Sequence, residues 1–267
     1  MQNINMNTVL ITGASQGIGF ELAKLFAKDK YTLVLVARDK DKLRKAAYEL
    51  QNEFHCETLT FDIDLSGYNA ANELVNQLKK DNINVDILVN NAGFGTYGEF
   101  VNSNLEDELA QIQVNIATLT SLTRLLLEPM VKIGHGKILN IASTAAFLPG
   151  PLMSVYFATK AYVLSFTEAL SEELKGTGVT ITVLCPGPTE TGFSKKAKII
   201  SNSLYNKNRD IMSAKDVALA GYKGLIRGKR TVIPGFQNMF VANAAKYIPK
   251  YIVLKVVKHL QKTNTNL

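Results

Sequence analysis

Seven short, nearly unbroken apolar runs punctuate this chain. They are "TVLITG" (8–13), "YTLVLVAR" (31–38), "TLTFDID" (58–64), "VDILVNNAG" (85–93), "KILNIAS" (137–143), "TITVLCPG" (180–187) and "TVIPG" (231–235). Runs that are apolar throughout, rich in β-branched residues and bounded by glycine or polar residues predict strands buried on both faces of a parallel sheet. Between them lie segments whose apolar residues recur every three or four positions. "ELAKLFAKD" follows the first run, "DKLRKAAYELQNEF" the second and "NAANELVNQLKKD" the third. This alternation predicts right-handed βαβ crossovers and an α/β, Rossmann-like, doubly wound parallel sheet of about seven strands with helices on both faces. There is no internal repeat or low-complexity tract before the tail, so residues 1–240 read as one domain and 241–267 as a basic amphipathic C-terminal segment.

Composition narrows the class only a little. The 267 residues are 46% hydrophobic, enough for a sizeable core, and the net charge is +7. A basic balance suits nucleic acid, anionic lipid or an anionic cofactor alike. No nucleic-acid recognition motif or basic–aromatic interleaving on the strands supports the first. The two cysteines, Cys56 and Cys185, are far apart and have no metal-ligand partners near them in sequence, which argues against a disulfide framework or a zinc site. "MQNINMNTVLITG" has neither a basic n-region nor a long apolar h-region, and no apolar run reaches the ~18 residues of a membrane span. A cytoplasmic protein is the expectation.

The first strand runs into "TGASQGIGF", with Gly13, Gly17 and Gly19 ahead of a helical pattern. A glycine turn between strand and helix lets backbone approach a pyrophosphate, whose charge the helix N-terminus then holds. Gly13, Ser15, Gln16, Gly17, Ile18 and Gly19 are the candidate contacts. At the end of the second strand an acid would bind the ribose hydroxyls of NAD, and an arginine the 2′-phosphate of NADP. Here Ala37 stands where the acid is expected and Arg38 follows, which favours NADP(H); in the other reading Arg38 opens a loop and Asp39 takes the ribose. Asp64 and Leu65, after the third strand, are candidates for the adenine edge, with Asp62 less favoured. Asn91, Ala92 and Gly93, within "NNAG", are candidates for packing against the adenosine ribose; asparagines there also satisfy local backbone groups in ordinary turns.

"SVYFATKAYV" places Tyr156 and Lys160 four residues apart, on one face of a helix, with Cβ atoms about 5–6 Å apart. Many such pairs merely decorate a solvated face. The chemical alternative is a phenol whose pKa is set by a neighbouring ammonium. Lowering a tyrosine from about 10 by 2–3 units takes roughly 3–4 kcal/mol. One ammonium about 4 Å away supplies an amount of that order at an effective dielectric near 20.

With "TGASQGIG" at 12–19, "NNAG" at 90–93, Asn115, Ser143, "YFATK" at 156–160 and "PGPTET" at 186–191 all present in order, the chain resembles the short-chain dehydrogenase/reductase superfamily in its compact single-domain branch. The resemblance covers residues 8–235 and implies an oxidoreductase that interconverts a carbonyl and an alcohol with NAD(P)(H). It implies Tyr156 as proton donor and acceptor, Lys160 as its pKa modulator and Ser143 as the group that orients the carbonyl. Asn115 would hold the lysine and a proton-relay water. Pro186 and Gly187 would turn the chain beneath the nicotinamide, while Thr189 and Thr191 would meet its carboxamide and the phosphates. Thr189 departs from the valine or isoleucine usual there. Tyr156 and Lys160 would also touch the cofactor. A homodimer or homotetramer, paired through segments 105–133 and 153–175, is a further implication.

Two readings stand beside this one. A nucleotide-sensing binding protein that had lost catalysis would be expected to lose the tyrosine, lysine or serine, and all three are here. Within the enzyme class, four basic residues between Lys195 and Lys207, in a polar lid expected at 193–212, read first as solvated surface and alternatively suit a 3-oxoacyl thioester, while a ketone or aldehyde of broad scope is the default. In the tail, Lys255, Lys258 and Lys262 recur at helical spacing opposite Ile252, Val253, Val256, Val257 and Leu260. That pattern fits a terminal helix packed on the substrate lobe or a second subunit. The alternative is an interfacial helix making weak peripheral contact with anionic lipid.

Overall fold

The computed structural model describes residues 8–190, 211–245 and 247–262. The lid expected at 193–212 lies outside them except for its last two positions, and Thr191 lies outside them as well. All seven apolar runs form strands: β1 (Thr8–Thr12), β2 (Thr32–Ala37), β3 (Thr58–Asp62), β4 (Ile87–Asn90), β5 (Gly136–Ile141), β6 (Val179–Leu184) and β7 (Thr231–Val232). They make one parallel sheet in the order β3-β2-β1-β4-β5-β6-β7. The order reverses direction between β1 and β4, so the crevice of an open α/β sheet opens beyond the carboxyl ends of those two strands.

The unbroken apolar runs follow from covering the sheet on both faces. Along β1, Val9 and Ile11 pack into one core with Leu22, Ala23 and Phe26 of α1 (Gly17–Lys28), while Leu10 points into the other core. The same parity runs across β2, where Leu33 and Leu35 join the first core and Val34 and Val36 the second. The first core lies under α1, α2 (Lys40–Phe54) and a helix late in the chain, α7 (Ala214–Ile226). The second lies under α3 (Ala70–Lys80) and α5 (Leu119–Ile133). β3 is the exception. It is an edge strand that is only half-buried, and its alternating "TLTFD" reads accordingly.

The long helical pattern over 105–133 is not one regular helix. α4 (Leu105–Ile112) passes through a π-helical turn, Gln113–Thr118, into α5. α6 (Ser154–Glu173) carries the Tyr156/Lys160 pair. After α7, α8 (Phe236–Ala244) and α9 (Lys250–Lys262) close the chain, and α8 packs against the turn that follows β5.

A buried polar relay fixes α6 to the sheet. Asn90 at the end of β4 donates through Nδ2 to Thr123 Oγ1 at 3.0 Å and to Asn140 Oδ1 at 2.9 Å. Asn140 in turn donates to Thr167 Oγ1 of α6 at 2.9 Å, and Thr167 donates to the Val163 carbonyl. All four side chains are essentially inaccessible. Replacing Asn140 by alanine strands an Asn90 N–H away from water and should cost about 2–3 kcal/mol. The measurement is the urea midpoint at constant slope, and an unchanged midpoint would show that the relay does not hold the layers together.

Candidate active site

The glycine turn is shaped by close approach. Gly13 and Gly17 have φ of +66° and +60°, in the left-handed region that side chains disfavour. A Cβ on Gly19 would stand 2.4 Å from Asn91 Nδ2 and 2.5 Å from the Gly13 carbonyl oxygen. Gln16, the residue before α1, makes no side-chain capping bond, and no acid lies in the first turn. Among the described residues no side chain caps the first N–H groups of α1, which is what a phosphate-binding helix terminus requires. Ser15 and Ile18 are half-buried and Gln16 is exposed at this edge.

The turn after β4 is stapled to the turn after β1. Thr12 Oγ1 accepts from the backbone N–H groups of Asn91 (3.0 Å) and Ala92 (2.9 Å). Asn91 Nδ2 donates back to the carbonyls of Thr12 (2.9 Å) and Gly13 (3.1 Å). The Asn91 carboxamide therefore holds the glycine turn in shape. Gly93 sits where a Cβ would come 3.0 Å from Asn115 Oδ1 and 3.4 Å from Lys160 Nζ.

At the end of β2, Ala37 is buried and Arg38 is exposed, with no ion pair among the described residues. Asp39 is already committed: its carboxylate caps α2 by accepting from the Lys42 N–H at 3.1 Å and pairs with Lys42 Nζ at 2.7 Å. Those bonds from Lys42 hold its carboxyl below the usual range. Asp62 pairs with Lys40 at 3.3 Å. Asp64 Oδ1 accepts from the N–H and hydroxyl of Ser66. Leu65 is buried, and its carbonyl accepts from Thr118 Oγ1 at 2.8 Å.

The π turn presents Asn115 inward. Its Oδ1 accepts from the Phe94 N–H at 3.2 Å, and its Nδ2 donates to the Phe94 carbonyl (2.9 Å) and to Thr159 Oγ1 (3.1 Å), beside Lys160. Lys160 is 6% exposed; it donates to the Ile141 carbonyl at 2.9 Å and lies 5.8 Å from the centre of the Tyr156 ring. Burial pulls its pKa down to about 8. The nearby Cys185 thiol is itself pushed up to about 12 by burial, so it stays neutral and offers no countercharge. Tyr156 is half-buried and clusters with Tyr97, Met153 and Phe157.

Ser143, just after β5, is half-buried and has a structural task. Its Oγ accepts from the Ala145 N–H at 3.1 Å, capping the 3-10 turn Thr144–Phe147, and donates to the Pro186 carbonyl at 3.4 Å. Gly187 faces α8, where a Cβ would meet Asn238 Oδ1 at 2.3 Å. Thr189 is buried, donates to the Gly187 carbonyl at 2.9 Å and pairs with Met212 in a two-residue parallel ladder. The glycine turn is thus bonded to the β4 turn and Asn115 to the adjoining Phe94, Lys160 stands beside Gly93, and Lys160 joins the end of β5 through Ile141. Arg38 and Asp64 lie at the β2–β3 side of the same sheet edge. Sequence reasoning missed the supporting residues Thr12, Thr159 and Asn140. Thr12 and Thr159 stood inside the quoted motifs "TGASQGIG" and "YFATK", whereas Asn140 carried no such signal.

An open doubly wound sheet with a glycine turn, a stapled β4 turn and a tyrosine–lysine pair on one helix is the frame of a nucleotide-dependent oxidoreductase. The sequence model of the short chain dehydrogenase family matches residues 7–199. Ketoacyl reductase HetN of a Nostoc species is 33% identical over 247 residues, spanning 92% of this chain and 84% of that protein. The very-long-chain 3-oxoacyl-CoA reductase of Homo sapiens is 30% identical over 260 residues, 95% of this chain and 79% of the relative. Among solved structures, a short-chain dehydrogenase from Sphingobium yanoikuyae in complex with NADPH superposes with a TM-score of 0.80 at 32% identity, covering 90% of this chain and 94% of that one. The chain belongs to the short-chain dehydrogenase/reductase family, oxidoreductases whose fold binds NAD(P).

The buried ammonium has a measurable signature in the protein without nucleotide. Between about 8 and the ordinary 10.5, Lys160 is neutral in the folded state and still protonated when unfolded. Stability should therefore rise with pH across that window, by about 3 kcal/mol for the full shift. Urea midpoints of the native protein and Lys160→Met at pH 7 and 9.5 test this: the native protein should gain on the variant at the higher pH. Parallel midpoints would mean the ammonium is solvated.

Proposed function

We propose that the protein is an NADP(H)-dependent reductase interconverting a carbonyl and an alcohol, with Tyr156 as proton donor and acceptor. The observation that carries this is the buried Lys160 ammonium held against the Tyr156 ring by the Ile141 carbonyl. An ammonium 5.8 Å from the centre of the ring favours the phenolate over the neutral phenol, because opposite charges attract. That lowers the tyrosine toward a useful acid–base range.

The nicotinamide, when bound, supplies or accepts the hydride. Ser143 is the group for the carbonyl oxygen: its hydroxyl sits at the carboxyl end of β5, held by Ala145 and Pro186, and can turn its proton toward a developing oxyanion. Tyr156 gives its proton to that oxygen in reduction and takes it back in oxidation. Lys160 keeps the phenol acidic enough for both directions. Asn115, bonded to Thr159 next to Lys160, fixes the helix that carries the pair.

The glycine turn fits a pyrophosphate through the uncapped N-terminus of α1 and the glycines that admit close backbone approach. Preference for NADP(H) rests on Arg38, with no acid on Ala37 and with Asp39 engaged by Lys42. The bound NADPH of the Sphingobium relative supports the same preference. For the substrate, the names of the ketoacyl and very-long-chain 3-oxoacyl-CoA reductases favour a 3-oxoacyl thioester over a simple ketone.

NADPH oxidation over a panel of aldehydes, ketones and 3-oxoacyl thioesters is the direct test. Tyr156→Phe should lower turnover by about 10²–10⁴-fold with NADPH affinity unchanged; full activity in this variant would remove Tyr156 from the reaction. Arg38→Ala should weaken NADPH binding by about ten- to a hundredfold, the worth of one charge-assisted hydrogen bond, and leave NADH binding unaltered. Fluorescence titration reads both, and equal losses for the two nucleotides would defeat Arg38 as the phosphate reader.

A further inference from the structure

α8 and α9 present an exposed surface in which large apolar side chains mix with lysines. No acidic residue follows Asp216 in the chain, while nine lysines and arginines do. α8 and the residues after it leave large apolar side chains in solvent: Phe236 is 78% exposed, Phe240 65% and Tyr247 88%. Buried cores do not account for them, because α8 buries only Ala242.

α9 divides its apolar residues into two stripes. Val253, Val257 and Gln261 are buried, and the Tyr97 hydroxyl donates to the Gln261 carbonyl at 2.6 Å. That contact fastens the helix to the body of the protein beside the Tyr156 cluster. The neighbouring stripe, Ile252, Val256 and Leu260, stays exposed, with Lys255 and Lys258 also in solvent. The terminal helix therefore packs on the domain through one stripe and leaves a second apolar stripe free.

We propose that the exposed surface of α8 and α9 docks on an anionic lipid bilayer. Aliphatic and aromatic side chains interspersed with cations and free of acids are what a helix lying in the headgroup region requires. No helix among the described residues is long and apolar enough to cross a membrane, so the contact is peripheral. A second copy of the chain is a poorer occupant. A two-fold contact of this surface with itself sets lysines against lysines with no carboxylate to answer them. Nucleic acid offers the negative charge but no apolar layer for Phe236, Phe240 and Val256.

The test is co-sedimentation of the full-length protein with vesicles of phosphatidylcholine alone or mixed with phosphatidylserine, at low salt. Binding should require phosphatidylserine. The Lys255→Gln, Lys258→Gln double variant should bind about thirtyfold more weakly, about 1 kcal/mol for each lysine at an anionic surface. Phe240→Ser should weaken binding at least about tenfold, the cost of one large apolar group kept out of water. All substituted positions are exposed, and unchanged thermal midpoints will show that the variants fold. Absence of phosphatidylserine-dependent binding, or binding that both variants retain, would overturn the proposal. So would lipid-free self-association that both variants abolish, which would assign the surface to a second copy.

Discussion

Seven strands running the same way bring seven carboxyl ends to one edge, and the glycine turn, the β4 turn and Ser143 all follow from those ends. The constraint is steric and electrostatic at once. A parallel sheet covered by helices on both faces has no room for water, so polar groups that leave the strands must find partners at the edge or pay desolvation. Thr12 and Asn91 solve this by stapling the turns of β1 and β4 to each other across the point where the strand order reverses. The crevice a nucleotide would enter is held open by hydrogen bonds that leave the N-terminus of α1 free.

The same logic makes Lys160 costly and useful. An ammonium 6% exposed, with the Ile141 carbonyl as its hydrogen-bond acceptor and a neutral thiol nearby, is carried at an expense to stability. A buried charge acts through a low effective dielectric, so the field it casts on Tyr156 is stronger than any exposed lysine would supply. The surrounding network keeps that geometry rigid. Asn115 reaches Thr159 from a π turn, a wider turn that re-aims one side chain without ending the helix. The Asn90–Asn140–Thr167 relay anchors α6 about two turns further along.

The C-terminal helices extend the argument from site to surroundings. Tyr97 touches both ends of it: its ring lies with Met153, Tyr156 and Phe157, and its hydroxyl holds α9. Helices without acids are thus tied through Tyr97 to the neighbourhood of Tyr156.

The strands were legible in the chain because burial on both faces leaves unbroken apolar runs, a local signal that survives without neighbours. β3 departed from it for the corresponding reason, being covered less at the edge. The glycine turn and the Tyr156/Lys160 pairing were legible too, since both depend on spacing within a few residues. Local order also writes the Asp39 cap into "DKDK", although its consequence for the ribose emerges only once Lys42 is seen to occupy both oxygens. The rest needed the folded molecule. Asn90 finds Asn140 across 50 positions, Asn91 finds Thr12 across 79 and Tyr97 finds Gln261 across 164. No periodicity encodes such partners, because they are chosen by which strands lie side by side. The pattern over 105–133 gave no warning of the π turn, since inserting a wide turn changes the direction of Asn115 without disturbing the apolar spacing around it. Spacing alone assigned all five apolar positions of α9 to one face, and only packing against the domain separated the stripe that is buried from the stripe left to solvent.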